Sequence, residues 1–192
     1  HIISTPERDV KVLLSRMQFE DALHADGLKS RLLEIRVAKS KINKTPEQPL
    51  KLVFDEAIHA RSTVELVAGL ARVFKPALVE AYERHLTETN GVADYPSVRL
   101  LRNLLAEEKE ALSLFEIAYQ DVVDTPEKQA EADAWVSTLQ NLLQAAGSID
   151  GTGPIDETAL QPQRAGRPYQ IVRELTRDDA FPRVWDFVHV EN

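Results

Sequence analysis

The tripeptide Thr-Pro-Glu occurs three times in the chain, beginning at Thr5, Thr45 and Thr125. It is a typical helix start. Threonine accepts a hydrogen bond from a free backbone N–H, proline has no N–H to satisfy in the first turn, and glutamate faces the positive end of the helix dipole. A looser version of the same signal, Asp94-Tyr95-Pro96-Ser97, precedes another amphipathic stretch. These four starts predict a chain built from helices.

Apolar residues that recur every three or four positions then predict four long helices. The second of them should stop at Phe74, because Pro76 lacks a backbone donor and disfavours helix in the residue before it. The fourth should stop before Gly147, which suits a helix C-terminus. The expected bounds of the four helices are 6–38, 46–74, 96–123 and 126–146.

The connections between these helices differ in length. The first and second helices, and the third and fourth, are joined by short loops, so each pair should form an antiparallel hairpin. About twenty residues lie between the hairpins, and residues 76–88 among them have a helical pattern that ends at Asn90-Gly91. A connection of that length can cross the bundle. We therefore expect a crossover that leaves helices two and three parallel.

The chain changes character after the fourth helix. Glycine and proline recur through residues 148–192, so this tail should be mostly irregular. It also holds too many apolar residues for a solvated linker. We expect the tail to dock on the helical domain, residues 1–147, or on a second copy of the chain. The expected apolar anchors are Tyr169, Ile171, Val172, Leu175, Phe181, Trp185, Phe187 and Val188.

Composition excludes several kinds of function. The formal net charge is −8, with both signs interspersed and no basic block, which argues against a nucleic-acid partner. The chain has no cysteine, so disulfides and thiolate chemistry are excluded and carboxylate and imidazole are the strong metal ligands that remain. No apolar run is long enough to span a membrane, and no signal peptide opens the chain. We expect a cytoplasmic protein, although His1 in place of Met leaves its natural start open.

Glu56 and His59 are the polar residues that the predicted second helix should bury. They lie three positions apart, within the stripe of Leu52, Thr63 and Leu66, so both should point to one inner face of the helix. A buried carboxylate and imidazole need a metal, an ion pair or a shared proton. This pair is therefore the starting point for a site.

Two hairpins joined by a crossover, with Glu-x-x-His on the second helix, resemble the ferritin-like superfamily of di-iron carboxylate proteins. In that family, helices one and three each provide a glutamate, and helices two and four each provide a Glu-x-x-His pair. The resemblance covers about residues 6 to 146. It implies an all-α, four-helix ferritin-like bundle with an iron site between the helices.

The family pattern assigns further ligands to this chain. Glu20 is the candidate on helix one, and His24 competes with it, because His24 and His59 lie about 21 and 20 Å along their helices from the first loop. On helix three, Glu108 continues an apolar stripe, with Glu107 as the neighbouring alternative. The metal set is thus Glu20, His24, Glu56, His59 and Glu108.

Helix four departs from the family pattern. The position expected for Glu-x-x-His holds Asn141-Leu142-Leu143-Gln144, and neutral amides are poor replacements for those ligands. A symmetric di-iron centre is therefore not expected. What remains favours one iron ion, or two, held by a partial site.

Two functions follow from these expectations. In the first, the chain is an iron-dependent oxidase or oxygenase that acts on an unknown small molecule, as the resemblance implies. In the second, it is a metal-free helical scaffold that has lost the di-iron site and associates with itself, as a homo-oligomer, through its tail. His85 and His189 should be surface or docking residues, and Trp135 and Trp185 should be packing anchors.

Overall fold

The structure is a computed structural model, and it describes residues 1–44 and 48–180. This part of the chain is helical and contains no strand, which confirms the all-α prediction. In chain order the elements are α1 (Arg8–Glu34), α2 (Lys39–Ile42), α3 (Gln48–Ala57), α4 (Thr63–Gly69), a π-helical segment (Leu70–Phe74), α5 (Lys75–Glu88), α6 (Tyr95–Val122) and α7 (Pro126–Ala145).

The predicted helix starts differ in outcome. Thr125 is the N-cap of α7, and its hydroxyl accepts a hydrogen bond from the Lys128 N–H. α6 begins at Tyr95, one residue from the prediction. α1 begins later than expected, at Arg8. The Thr5 hydroxyl donates a hydrogen bond to the His1 carbonyl and therefore does not cap the helix. The start predicted at residues 45–47 lies outside the described residues.

The predicted second helix is wrong in both its continuity and its end. α3 stops at Ala57, and the chain turns before α4 begins at Thr63, where the Ser62 hydroxyl accepts a hydrogen bond from the Glu65 N–H. From there the helix does not stop before Pro76, since the π-helical segment leads directly into α5. Proline is tolerated here because it occupies the first turn of α5.

Residues 76–88, expected to cross the bundle, instead continue this helix and pack against α6. Arg72 pairs with Glu116, and Lys75, further along the chain, pairs with Glu108, which is earlier in α6. The helix that contains Arg72 and Lys75 is therefore antiparallel to α6. α1 lies along α6 in the antiparallel sense as well. The predicted crossover is therefore wrong for this segment, and the four-helix bundle remains a prediction.

α4 packs against α7, and the small residue Gly69 lets the two helices approach closely. A Cβ at Gly69 would lie 3.1 Å from Leu139 Cδ1. The apolar core on either side of this contact has two parts. One joins α1, α4, α6 and the start of α7, and its largest fully buried side chain is Phe115; the other joins α3, α7 and the π-helical segment around Trp135.

The tail leaves α7 through a tight turn. Gly147 has a φ of +85°, and a Cβ there would lie 2.7 Å from the Gly153 carbonyl oxygen, so only glycine fits without strain. Residues 148–180 contain neither helix nor strand. Among the expected apolar anchors, Tyr169, Ile171, Val172 and Leu175 are exposed. Phe181, Trp185, Phe187, Val188 and His189 lie outside the described residues.

The helices are too polar or too short to cross a lipid bilayer. Within the described ranges, none has the length and hydropathy of a membrane span.

Candidate functional site

The structure separates Glu56 from His59. Glu56 is fully buried near the end of α3, whereas His59 follows the helix in the turn and is partly exposed. His59 Nε2 lies 3.0 Å from the Arg167 carbonyl, and its ring packs against Tyr169. The prediction that both side chains share one helix face is wrong, because the helix ends between them.

A second group of polar side chains lies between α1, α5 and α6, and we call Asp21, His24, Lys75, Glu107 and Glu108 the lysine cluster. The Lys75 ammonium donates to Asp21 Oδ1 at 2.7 Å and to Glu108 Oε2 at 2.9 Å. His24 Nδ1 lies 3.1 Å from Glu108 Oε1, and its Nε2 lies 2.6 Å from Glu107 Oε2. The cluster therefore ties three helices together.

The centre of the lysine cluster is buried. Glu108 is 2% exposed, Lys75 3% and His24 6%. Burial lowers the pKa of Lys75, but its bonds to Asp21 and Glu108 outweigh that effect and hold the pKa above its ordinary value. Burial beside the same two carboxylates raises the pKa of Tyr82 to about 12. Lys75 is thus a buried cation and Tyr82 a neutral phenol.

His24 has carboxylate oxygens at both ring nitrogens. A neutral imidazole carries one N–H, so it could donate to only one of them, and its other nitrogen would face an acceptor. The imidazolium form donates to both. His24 therefore lies between two carboxylates and links Glu107 to Glu108.

The ligand atoms of Asp21, His24 and Glu108 all lie within 4.8 Å of one another, close enough to hold one cation. The rest of the predicted ligand set does not join them. Glu20 is bound by Arg16 at 2.7 Å, while Glu56 and His59 belong to a different part of the structure. The five predicted ligands therefore do not fit a di-iron centre.

Helix α7 turns its expected ligand positions outward. Asn141 and Gln144 are exposed, whereas Leu142 and Leu143 between them are buried. Counting residues along the predicted helices placed Asn141 and Gln144 at the depth of the site, but depth does not determine which face of a helix points inward. α7 contributes apolar residues to the core.

Glu56 belongs to a separate polar contact, which we call the tail latch and which comprises Glu56, Glu65, Arg164 and Ala165. The consecutive backbone N–H groups of Arg164 and Ala165 both donate to Glu56 Oε2, at 2.6 and 2.8 Å. Two adjacent amides aimed at one oxygen form an anion-binding nest. Glu56 Oε1 is buried and has no hydrogen-bond partner in the part of the chain that the structure describes.

The Arg164 side chain completes the tail latch. Its guanidinium makes two bonds to Glu65, at 2.6 and 2.8 Å, and stacks 4.1 Å above the Trp135 ring. Burial raises the pKa of Glu65, but the bonds from Arg164 and from the Arg61 N–H outweigh it and leave that pKa below its ordinary value. The tail is therefore held by a bidentate ion pair and two amides, where apolar anchors were expected.

Sequence reasoning missed Asp21, Lys75, Glu65 and Arg164. Asp21 lies three residues before His24, so helical spacing could have identified it. Lys75 was obscured because Pro76 was interpreted as a helix end. Glu65 and Arg164 bond to each other although they lie 99 positions apart, and no local pattern in the sequence reveals such a contact.

An apolar cleft opens beside the lysine cluster, between α1, α5, α6 and the start of the tail. Its volume is about 580 Å³. Most of its wall is apolar, seven leucine and isoleucine side chains line it, and Tyr82, whose pKa is raised by burial and by the nearby Glu108 and Asp21, lies in the same wall. Two ion pairs lie at its rim, Arg31 with Asp94 and Arg84 with Asp150, and Glu88 also lines the cleft.

Comparison with known protein families, curated proteins and solved structures finds no match to this chain. The ferritin-like resemblance therefore depends on the residues and helices described above.

Proposed function

We propose that this chain is a metal-free helical binding protein. The observation that supports the proposal is the position of the Lys75 ammonium, which bonds two of the three side chains able to hold a cation. A buried ammonium at that place neutralises the carboxylates as a metal ion would. A metal ion could bind only if Lys75 moved away from both Asp21 and Glu108.

The cleft beside the lysine cluster is where a ligand would bind. Pockets of about 300–1,000 Å³ with mostly apolar walls and a few polar groups are typical of small-molecule sites, and this cleft has both properties. Because both rim arginines are paired with aspartates and the wall is mostly apolar, the site suits an uncharged, largely apolar molecule. In this proposal the lysine cluster fixes the helices around the cleft and takes no part in catalysis.

Filling the cleft should weaken the binding of an apolar ligand. We expect Nile red, an uncharged apolar dye, to bind the full chain saturably, and Ala81→Phe to weaken that binding by at least about tenfold, because the new ring occupies the cleft. Fluorescence titration measures both affinities. Ala130→Phe, at an exposed position of α7, is the matched control and should bind as the wild type does. Equal affinity in Ala81→Phe would show that the cleft is not the site.

A second candidate is a metal protein, favoured by the convergence of Asp21, His24 and Glu108. In this version the chain is a ferritin-like bundle in the cytoplasm, with those residues around one ion, and a bound iron would supply oxidation chemistry. Association into a homo-oligomer through the tail belongs to the metal-free candidate and stays a prediction. No residue of the chain is assigned a catalytic role in either candidate.

Metal analysis of the purified protein separates the two candidates. We expect less than about 0.1 equivalent of iron, zinc or manganese in the wild type, unchanged in Glu108→Gln, because the Lys75 ammonium already bonds Asp21 and Glu108. Lys75→Met, which removes the ammonium, should bind added zinc more tightly than the wild type. About one equivalent in the wild type that is lost in Glu108→Gln would overturn the metal-free proposal.

A further inference from the structure

A second apolar groove lies between the N-terminal half of α1 and the C-terminal half of α6, and we call it the α1–α6 groove. Its volume is about 480 Å³. Leu13, Leu114 and Ile117 lie along it, and Ile117 is 58% exposed. Ala180, the last described residue, also lines this groove.

The tail is fixed in position where it reaches the groove. The Asp178 N–H donates to the Pro6 carbonyl at 2.9 Å, and Asp178 Oδ2 accepts from the Arg8 N–H at 3.0 Å. Arg8 is the first residue of α1, which has no N-cap side chain of its own, so Asp178 supplies the missing acceptor. These two hydrogen bonds therefore fix the position of Asp178 at the edge of the groove.

The twelve residues that follow have the composition of an apolar ligand. They are Phe-Pro-Arg-Val-Trp-Asp-Phe-Val-His-Val-Glu-Asn, residues 181–192. Fully extended, they span at most about 40 Å, far more than is needed to cover a groove that begins at residue 180. Asp121 lies at the rim with no ion-pair partner within residues 1–44 and 48–180, since Lys128 beside it pairs with Asp124, and residues 181–192 contain one cation, Arg183.

We propose that residues 181–192 occupy the α1–α6 groove of their own chain, with aromatic side chains against Leu114 and Ile117. Three observations support this occupant: Ala180 lines the groove, seven of the next twelve residues are apolar, and the segment carries a cation, Arg183, that is complementary to Asp121. The segment shields apolar surface that α1 and α6 leave exposed. This proposal is independent of the metal and the cleft.

Engineered cysteines test the proposal directly, because the natural chain has none. The full chain carries Val184→Cys together with Ile117→Cys in the groove. The control pairs Val184→Cys with Glu127→Cys, an exposed position next to Lys128 at the groove rim, so the tether lengths are comparable. We expect the intramolecular disulfide to Ile117→Cys to form at least about tenfold faster than that to the control.

Equal cross-linking rates would overturn the proposal, and so would a disulfide that forms chiefly between two chains, since the occupant would then be a second copy. Mass spectrometry and non-reducing electrophoresis distinguish these products. Tryptic cleavage after Arg183 gives a second measurement without cysteines. It should accelerate at least about tenfold in Ile117→Asp and stay unchanged in Val92→Asp, at an exposed site in the turn before α6. An unchanged rate in Ile117→Asp would contradict docking.

Discussion

Replacing Lys75 with methionine is expected to destabilise the protein by about 3–5 kcal/mol, the cost of removing one member of a buried ion pair. Glu108, which is 2% exposed, would keep only its contact with His24, and Asp21 would lose its bond to Lys75. The raised pKa of Lys75 contributes stability below the ordinary lysine value and loses it only as pH rises through the folded value. The full effect is therefore expected at pH 7.

Urea denaturation measures this loss, and Lys109→Met is its matched control. Lys109 pairs with Glu83 at the surface, where both side chains are about half exposed, so its loss should cost less than about 1 kcal/mol. Adding Glu108→Gln to Lys75→Met should restore part of the lost stability, because it removes the uncompensated charge. A Lys75→Met protein within about 1 kcal/mol of the wild type would show that the cluster is not a coupled network.

Arg164→Met is the second large change, with an expected loss of about 3 kcal/mol at pH 7, because Glu65 would remain buried without its bidentate partner. The loss should depend on pH. The pKa of Glu65 is depressed in the folded state, so its pairing stabilises the protein above the ordinary value of 4.5 and ceases to do so as pH falls through the folded value. The wild type and Arg164→Met should therefore converge in stability below pH 4.5.

Thermal unfolding at several pH values checks this convergence. Arg167→Met is the control, since Arg167 is exposed in the same segment and only its backbone carbonyl contacts His59. It should unfold as the wild type does at every pH. A loss in Arg164→Met that stays constant from pH 7 to strongly acid conditions would mean that stacking on Trp135 holds the tail and that the ion pair contributes little.

Local signals in the sequence were sufficient to predict where α6 and α7 begin and end, to within one residue. Thr125 with Pro126, and Gly147 beyond the last turn, act through the backbone next to them, so their effect is readable from neighbouring residues. Pro76 shows the limit of this reasoning. A proline does not by itself decide whether a helix ends, because the preceding turn can widen into a π-helical segment.

The candidate site was predictable only where it depends on helical periodicity. Glu108 and His24 are buried, as their apolar stripes indicated. The prediction that Glu56 and His59 lie on one helix face is wrong because α3 ends at Ala57 and His59 lies in the turn that follows. Arg164 lies 108 residues from Glu56, and contacts at that separation depend on how the whole tail folds back.

The capping of α1 by Asp178 joins residues that are 170 positions apart. Closing so long a loop costs conformational entropy that local contacts do not repay, so such pairings tend to form late in folding. The first turn of α1 therefore acquires its acceptor only after the remainder of the chain has been synthesised and folded back. Until then a nascent chain has an open helix end at Arg8, which is where an incomplete chain would be most exposed to aggregation or chaperone binding.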